Sequence, residues 1–401
     1  MTLRWDAVVA GHICLDIIPN FMHHENVPLG ELLRPGHLVE VGPVTLSTGG
    51  AVSNTGLALH KLGIQTRLMG KIGDDLLGRV VAEIIERHGT GLSQGMVIDP
   101  DTSTSYTIIL NPPGIDRTFL HSPAANHAFG ASTVDYEAVN DARLFHFGYP
   151  PLMRRMYADG GAELITMFRE VKALGVTTSL DMALPDPAAP SGQVDWRSIL
   201  AQLLPYVDVF LPSLTEILFM LRPQAYQDLI ARGGENAIWD ANAHSLVSSV
   251  GHELSEMGAR VVGLKLGDHG LYVRTADRDA LTTMGRATPS GLDKWAEAEI
   301  WIPCFQVNVA GTTGAGDATV AGFLAALLRG LSLDTCATMA VAVGACNVEA
   351  PDALSGLRSW DETSARVERG WAQRLFVQPD PSWQWDADHH LWRREPRHRV
   401  Y

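Results

Sequence analysis

Short runs of β-branched and apolar residues recur along the chain with longer stretches of helical period between them: Ala7–Gly11, Arg67–Gly73, Arg143–Tyr149, Thr177–Ala183, Val207–Pro212 and Arg260–Gly267. This alternation constrains the fold more than any other feature. A strand, a helix and a second strand make a βαβ unit whose strands lie parallel, and a sheet built from such units is covered by helices on both faces. One intervening stretch is legible on its own. Leu76, Leu77, Val80, Val81, Ile84 and Ile85 recur at spacings of three, four and one, which marks one face of a helix ending near Gly89. The expectation is an α/β fold, three-layer α/β/α, with a mainly parallel central sheet.

Two regions break the rhythm. Residues 13–46 are rich in Pro, His and Gly, and residues 100–122 alternate as short strands around the turn Asn111-Pro112-Pro113-Gly114. They are expected to form a small β lid assembled from separate chain segments. Residues 276–298 read as a polar insertion without clear period. The tail, 376–401, carries Trp383, Trp385 and Trp392, and either docks back on the main domain (1–375) or is loosely ordered.

Hydrophobic residues make up 46% of the chain and charged residues 19%, the balance of a packed globule. The formal net charge of −14 argues against a nucleic-acid or anionic-membrane partner, since both reward clustered Lys and Arg. It leaves an anionic nucleotide substrate open, because one local site can handle that charge. Cys14, Cys304, Cys336 and Cys346 lie far apart with no CxxC pair, which fits free thiols in a reducing compartment. No apolar run approaches the ~20 residues a bilayer demands, and no signal-peptide pattern opens the chain. A cytoplasmic location is expected. His389-His390 lack a carboxylate or Cys partner at metal-binding spacing and read as solvated.

The strongest local signal is Val307-Asn308-Val309-Ala310-Gly311-Thr312-Thr313-Gly314-Ala315-Gly316-Asp317 running into a helix whose buried stripe is Val320, Phe323, Leu324, Leu327 and Leu328. A glycine turn opening on a helix N-terminus is an anion site, because amides are unpaired there and small residues let a phosphate approach. The turn is not a Walker A loop. Gly311 and Gly316 have the G-x-x-x-x-G spacing, but Asp317 stands where that motif needs Lys. A carboxylate beside an anion hole can instead take a proton from a hydroxyl that attacks phosphorus. The plainer alternative is that Asp317 caps the helix. A second segment, Ser47-Thr48-Gly49-Gly50-Ala51-Val52-Ser53-Asn54-Thr55, also sets glycines before a helix, with Asn54 offering a donor and an acceptor to a polyol.

Together the two segments resemble the signature regions of the ribokinase-like (PfkB) carbohydrate kinases. The first matches G-G-x-x-x-N-x-A, followed by L-G at Leu62-Gly63 and by Gly73-Asp74-Asp75-Leu76-Leu77-Gly78; the second matches D-T-x-G-A-G-D followed by Ala321-Gly322-Phe323. The resemblance spans roughly Val8 to Ser359. It implies an ATP- and Mg²⁺-dependent transfer of the γ-phosphoryl group to a primary hydroxyl of a sugar or sugar acid. Asp317 would be the general base, and the amides of Gly314, Ala315 and Gly316 the anion hole. Asp16, Gly49, Gly50 and Asn54 would bind the sugar, and Arg117 would either reach the substrate from the lid or point to solvent.

On the nucleotide side the resemblance implies Lys265, Gly267 and Gly270 of the L-G-x-x-G loop, with Lys265 alternatively a solvated strand-end lysine. Ser213 and Glu216 fall on the P-N-x-x-E motif, Glu216 organising Mg²⁺ through water. Two positions depart from the family. Gly311 replaces an Asp that often serves a monovalent-cation site, which puts K⁺ in doubt, and Ser213 replaces an Asn. A nucleoside acceptor and a catalytically weak sugar-binding homologue are the alternatives to a sugar kinase. A homodimer through the exposed lid is also expected.

Overall fold

The computed structural model describes residues 3–21, 25–114, 117–233, 243–374 and 381–394. Its central sheet contains β1 (Trp5–Gly11), β4 (Thr66–Met69), β9 (Ala142–Gly148), β10 (Thr177–Asp181), β11 (Val209–Phe210), β12 (Val261–Lys265), β13 (Leu271–Thr275), β14 (Glu299–Ile302), β15 (Trp383–Asp386) and β16 (Leu391–Arg394). The strands lie side by side in the order β15-β16-β14-β13-β12-β11-β10-β9-β1-β4. From β4 to β12 all neighbours are parallel, and from β12 to β15 all are antiparallel.

The apolar runs are continuous because both faces of the sheet are covered. Along β1, Ala7 and Val9 point into one core while Val8 and Ala10 point into the other. The first core is roofed by helices Ala51–Lys61, Ala315–Leu328 and Leu333–Asn347, and the second by Ala162–Ala173, Trp196–Leu203 and Leu214–Leu221. This is the three-layer α/β/α arrangement with a mainly parallel sheet. No helix among the described residues is long and apolar enough to cross a membrane.

The lid is a four-stranded sheet of β2 (Cys14–Asn20), β3 (Gly42–Gly49), β7 (Tyr106–Leu110) and β8 (Thr118–Ser122), in the order β3-β2-β7-β8. The run Arg67–Gly73, expected as one strand, divides at Gly70. β4 stays in the central sheet, while β5 (Lys71–Gly73) pairs with β6 (Val97–Asp99). A side chain at Gly70 would collide with Ile13, so the chain bends where the link between β1 and β2 passes closest.

Residues 276–298 join β13 to β14 and fold back under the sheet. Leu281, Met284, Ala287 and Trp295 are buried there, and Arg286 donates to the carbonyls of Asn140, Ala142 and Leu174. The described part of the tail docks as β15 and β16, with β16 pairing antiparallel to β14.

Candidate active site

Gly314, at φ 73°, is the N-cap of the helix Ala315–Leu328. That left-handed conformation suits glycine, and a residue without a side chain gives the first turn no side-chain cap, although the Ala315 amide donates to the Thr312 carbonyl at 3.3 Å. The helix therefore presents N–H groups and the positive end of its dipole to the cleft. Asp317 is the third helical residue, so the capping alternative falls away: its carboxylate turns from its own helix toward the helix Ala51–Lys61. Asn54 donates through Nδ2 to Oδ2 at 3.1 Å, and Thr55 donates through Oγ1 to Oδ1 at 3.0 Å. The Tyr149 hydroxyl donates to both oxygens at 2.7 Å. Asp317 is 3% exposed.

Lys265 ends β12, and its Nζ lies 2.6 and 2.8 Å from the two carboxylate oxygens of Asp181, which ends β10 and is fully buried. It is not a solvated lysine. Burial opposes its charge, but the carboxylates of Asp181, Glu216 and Asp317 outweigh burial and push its pKa up. A Cβ built on Gly316 would sit 3.4 Å from Lys265 Nζ, so the ammonium stands beside the glycine turn.

Ser213 N-caps the helix Leu214–Leu221. Its Oγ accepts from the Glu216 amide at 3.2 Å, and Glu216 Oε2 accepts from the Ser213 amide at 2.7 Å. The Ser213 hydroxyl thus accepts from the helix it caps, and its own proton is not used in that bond. Its residue still lines a cleft of about 640 Å³ together with Glu216, Lys265, Gly267, Gly270 and Asp317. Leu266, Phe305, Val307 and Val348 give that cleft an apolar wall. Gly270, at φ 91°, presses against the Ile302 carbonyl, where a Cβ would stand 1.9 Å from the oxygen.

On the lid side, Asp16 lies on β2 between Ser47 of β3 and Thr107 of β7. A side chain at Gly49 would strike Asp16 Oδ2 at 2.4 Å, and one at Gly50 (φ 89°) would strike the His12 carbonyl oxygen and Nδ1 at 2.5 Å. The two glycines let Asp16 and His12 close on the helix that carries Asn54. Burial pushes the Asp16 carboxyl up to about 6, against the pull of hydrogen bonds from Cys14 and Thr107. Asn54 uses its amide nitrogen on Asp317, and its Oδ1 finds no partner among the described residues.

Arg117 reaches from the lid to the glycine turn rather than toward Asp16 or bulk solvent. Its Nη1 donates to Thr313 Oγ1, and its Nη2 donates to Thr312 Oγ1 at 3.1 Å. His12, Cys14 and His121 bring ligand atoms within 4.8 Å of one another. The Cys14 thiol points to Asp16 Oδ1 at 3.4 Å and is pushed up well above its ordinary pKa, first by burial and then by that carboxylate. This thiol behaves as a neutral wall of the lid.

The structure thus brings Asp317, the glycine turn, Asn54 and Lys265 to one point, with Asp16, Gly49 and Gly50 on the lid side and Glu216 in the wall of the cleft. Tyr149, Thr55 and Asp181 also belong to it and escaped sequence reading. Tyr149 and Asp181 each follow or end a recognisable strand, the position where open α/β sheets carry their sites. Gly311 has no carboxylate to give a monovalent cation and no room for one, since a Cβ there would lie 2.8 Å from the Pro351 backbone.

Residues 6–360 match the family model described as pfkB family carbohydrate kinase. An uncharacterized sugar kinase of Archaeoglobus fulgidus is 25% identical over 301 residues, covering 75% of this chain and 98% of that one. Fructokinase-2 of Zea mays is 26% identical over 289 residues, covering 72% and 73%. Among solved structures, the Arabidopsis thaliana ribokinase complexed with ribose and ATP superposes with a TM-score of 0.67 at 19% identity, covering 90% of this chain and 98% of that one.

Proposed function

The chain belongs to the pfkB family of carbohydrate kinases, and from that premise we propose that it transfers the γ-phosphoryl group of ATP to a primary hydroxyl of a sugar or sugar acid, with Asp317 as the base. The observation that carries this reading is the placement of the Asp317 carboxylate, buried between the helix Ala51–Lys61 and the glycine turn Gly314–Gly316. The acceptor hydroxyl gives its proton to Asp317 while its oxygen bonds to the γ-phosphorus. The bond from that phosphorus to the β–γ bridging oxygen breaks, and ADP leaves. Amides of Gly314, Ala315 and Gly316, with Lys265 beside them, stabilise charge on the transferring group.

The donors present suit Mg²⁺, a hard cation that takes oxygen ligands and keeps several waters. Glu216 lines the cleft, and its charge reaches both Lys265 and Tyr149, whose pKa values it helps to raise. Glu216 would hold the ion through water, and the ion would neutralise phosphate charge. Asp16 and Asn54 would bind acceptor hydroxyls, because each can satisfy groups otherwise buried unpaired.

An ADP-release assay over sugars, sugar acids and nucleosides tests the reading. Asp317→Asn is expected to lower turnover by roughly 10²–10⁴-fold with ATP binding retained; near-normal turnover would remove Asp317 from the role. A nucleoside acceptor is the second reading, favoured by one observation. The rings of His12 and His121 lie 5.2 Å apart, and those of His12 and Tyr149 6.1 Å apart, a row of rings beside the acceptor residues. The lid strands expose Val44, Leu46, Phe119 and Leu120, which supports pairing of two copies through this sheet; sedimentation at increasing concentration tests it.

A further inference from the structure

The edge between the two oxygens of Asp317 is already taken. A carboxylate offers about four lone-pair positions. Here Thr55 takes one on Oδ1 and Asn54 one on Oδ2, while the single proton of the Tyr149 hydroxyl is shared between the two oxygens, its own oxygen standing 2.7 Å from each. A substrate hydroxyl that comes to the edge between the two oxygens therefore finds the phenol oxygen in its place. Thr55 is fully buried within its helix and Asn54 is 8% exposed, so neither can withdraw without moving that helix.

Tyr149 is differently held. It follows the last residue of β9, lines the nucleotide cleft and is only partly buried. Its backbone sits at φ 71°, ψ 43°, a left-handed conformation that a bulky residue rarely adopts and that tends to persist at functional sites. Pro150 and Pro151 follow it, and Pro150 disfavours the right-handed alternative. Burial, and then the carboxylates of Asp317 and Asp181, hold the phenol pKa far up, so the hydroxyl is a donor at any physiological pH.

We infer that the Tyr149 hydroxyl stands in for the acceptor hydroxyl on Asp317, and that acceptor binding displaces it. This rests on the kinase reading above and deepens it. While Tyr149 occupies the carboxylate, water cannot give its proton to Asp317 and attack the γ-phosphorus to release ADP and inorganic phosphate. ATP is spared until a sugar arrives. Asn54 Oδ1, which has no partner among the described residues, marks where an arriving hydroxyl finds an acceptor beside the base.

Tyr149→Phe in the full-length chain keeps the ring and removes the donor. With MgATP alone, its ADP release is expected to rise roughly tenfold relative to its acceptor turnover, and its acceptor KM to fall. An unchanged ratio and KM overturns the inference. So does joint loss of hydrolysis and transfer, which would make Tyr149 a support of the base. Should the variant not fold, wild-type protein carrying 3-fluorotyrosine keeps the test: a ¹⁹F resonance must shift with acceptor and stay fixed with ADP alone, and the reverse overturns the proposal. The outcomes separate from failure of the kinase reading itself, which would appear as no transfer by wild type to any acceptor while the ATP-only arm still reports on Tyr149.

Discussion

At the scale of single residues, the lid-side carboxylate gives the clearest pH dependence. The Asp16 carboxyl titrates near 6 in the fold against an ordinary 3.8, because burial disfavours its charge. Below about 6 it carries a proton, accepts less strongly and presents a donor to a polyol hydroxyl in place of a charge. Acceptor KM is therefore expected to rise as pH falls through about 6 while ATP KM stays flat, and Asp16→Asn to abolish that slope; steady-state kinetics across this range check both. The stability sign is opposite. A raised carboxyl favours the folded state at low pH, and that contribution is lost as pH climbs through 6. Much of this site could be read in advance, because Gly49, Gly50, Asn54 and Asp317 lie in contiguous segments whose glycines declare close approach. Tyr149 could not, since its meaning depends on a partner in a distant segment and on a backbone angle that composition does not encode.

At the scale of elements, the parallel strands were legible as continuous apolar runs because both their faces are buried. β13 and β14 are as apolar as those strands, yet the segment 276–298 between them is polar and aperiodic and hid their pairing. Its few apolar residues, Leu281, Met284 and Trp295, complete the core at single points rather than along a stripe. The tail was ambiguous for the same reason: one aromatic in a short strand decides its fate. Trp383 is fully buried, with Trp301 6.1 Å and Tyr272 6.2 Å away in edge-on contacts. Trp383→Ala is expected to cost about 3–5 kcal/mol, read from guanidinium unfolding monitored by circular dichroism. A loss below about 1 kcal/mol would mean that the tail only rests on the sheet.

At the scale of the whole molecule, lid and sheet are fastened across the cleft by Arg117, whose guanidinium spans to Thr312 and Thr313 on the phosphate-side turn. Closing such a site orders the acceptor and excludes water. Arg117→Ala is expected to lower kcat/KM for the acceptor roughly tenfold with the melting temperature nearly unchanged, and unaltered kinetics would free the lid from this fastening. The antiparallel edge has a different consequence, which concerns synthesis. Ile300 on β14 pairs with Arg393, far along in the sequence. As the polypeptide leaves the ribosome, β14 waits with a bare, apolar edge until β16 emerges. Such late, long-range closure slows folding and invites edge-to-edge association, so nascent chains arrested before β16 should be the ones that chaperones hold.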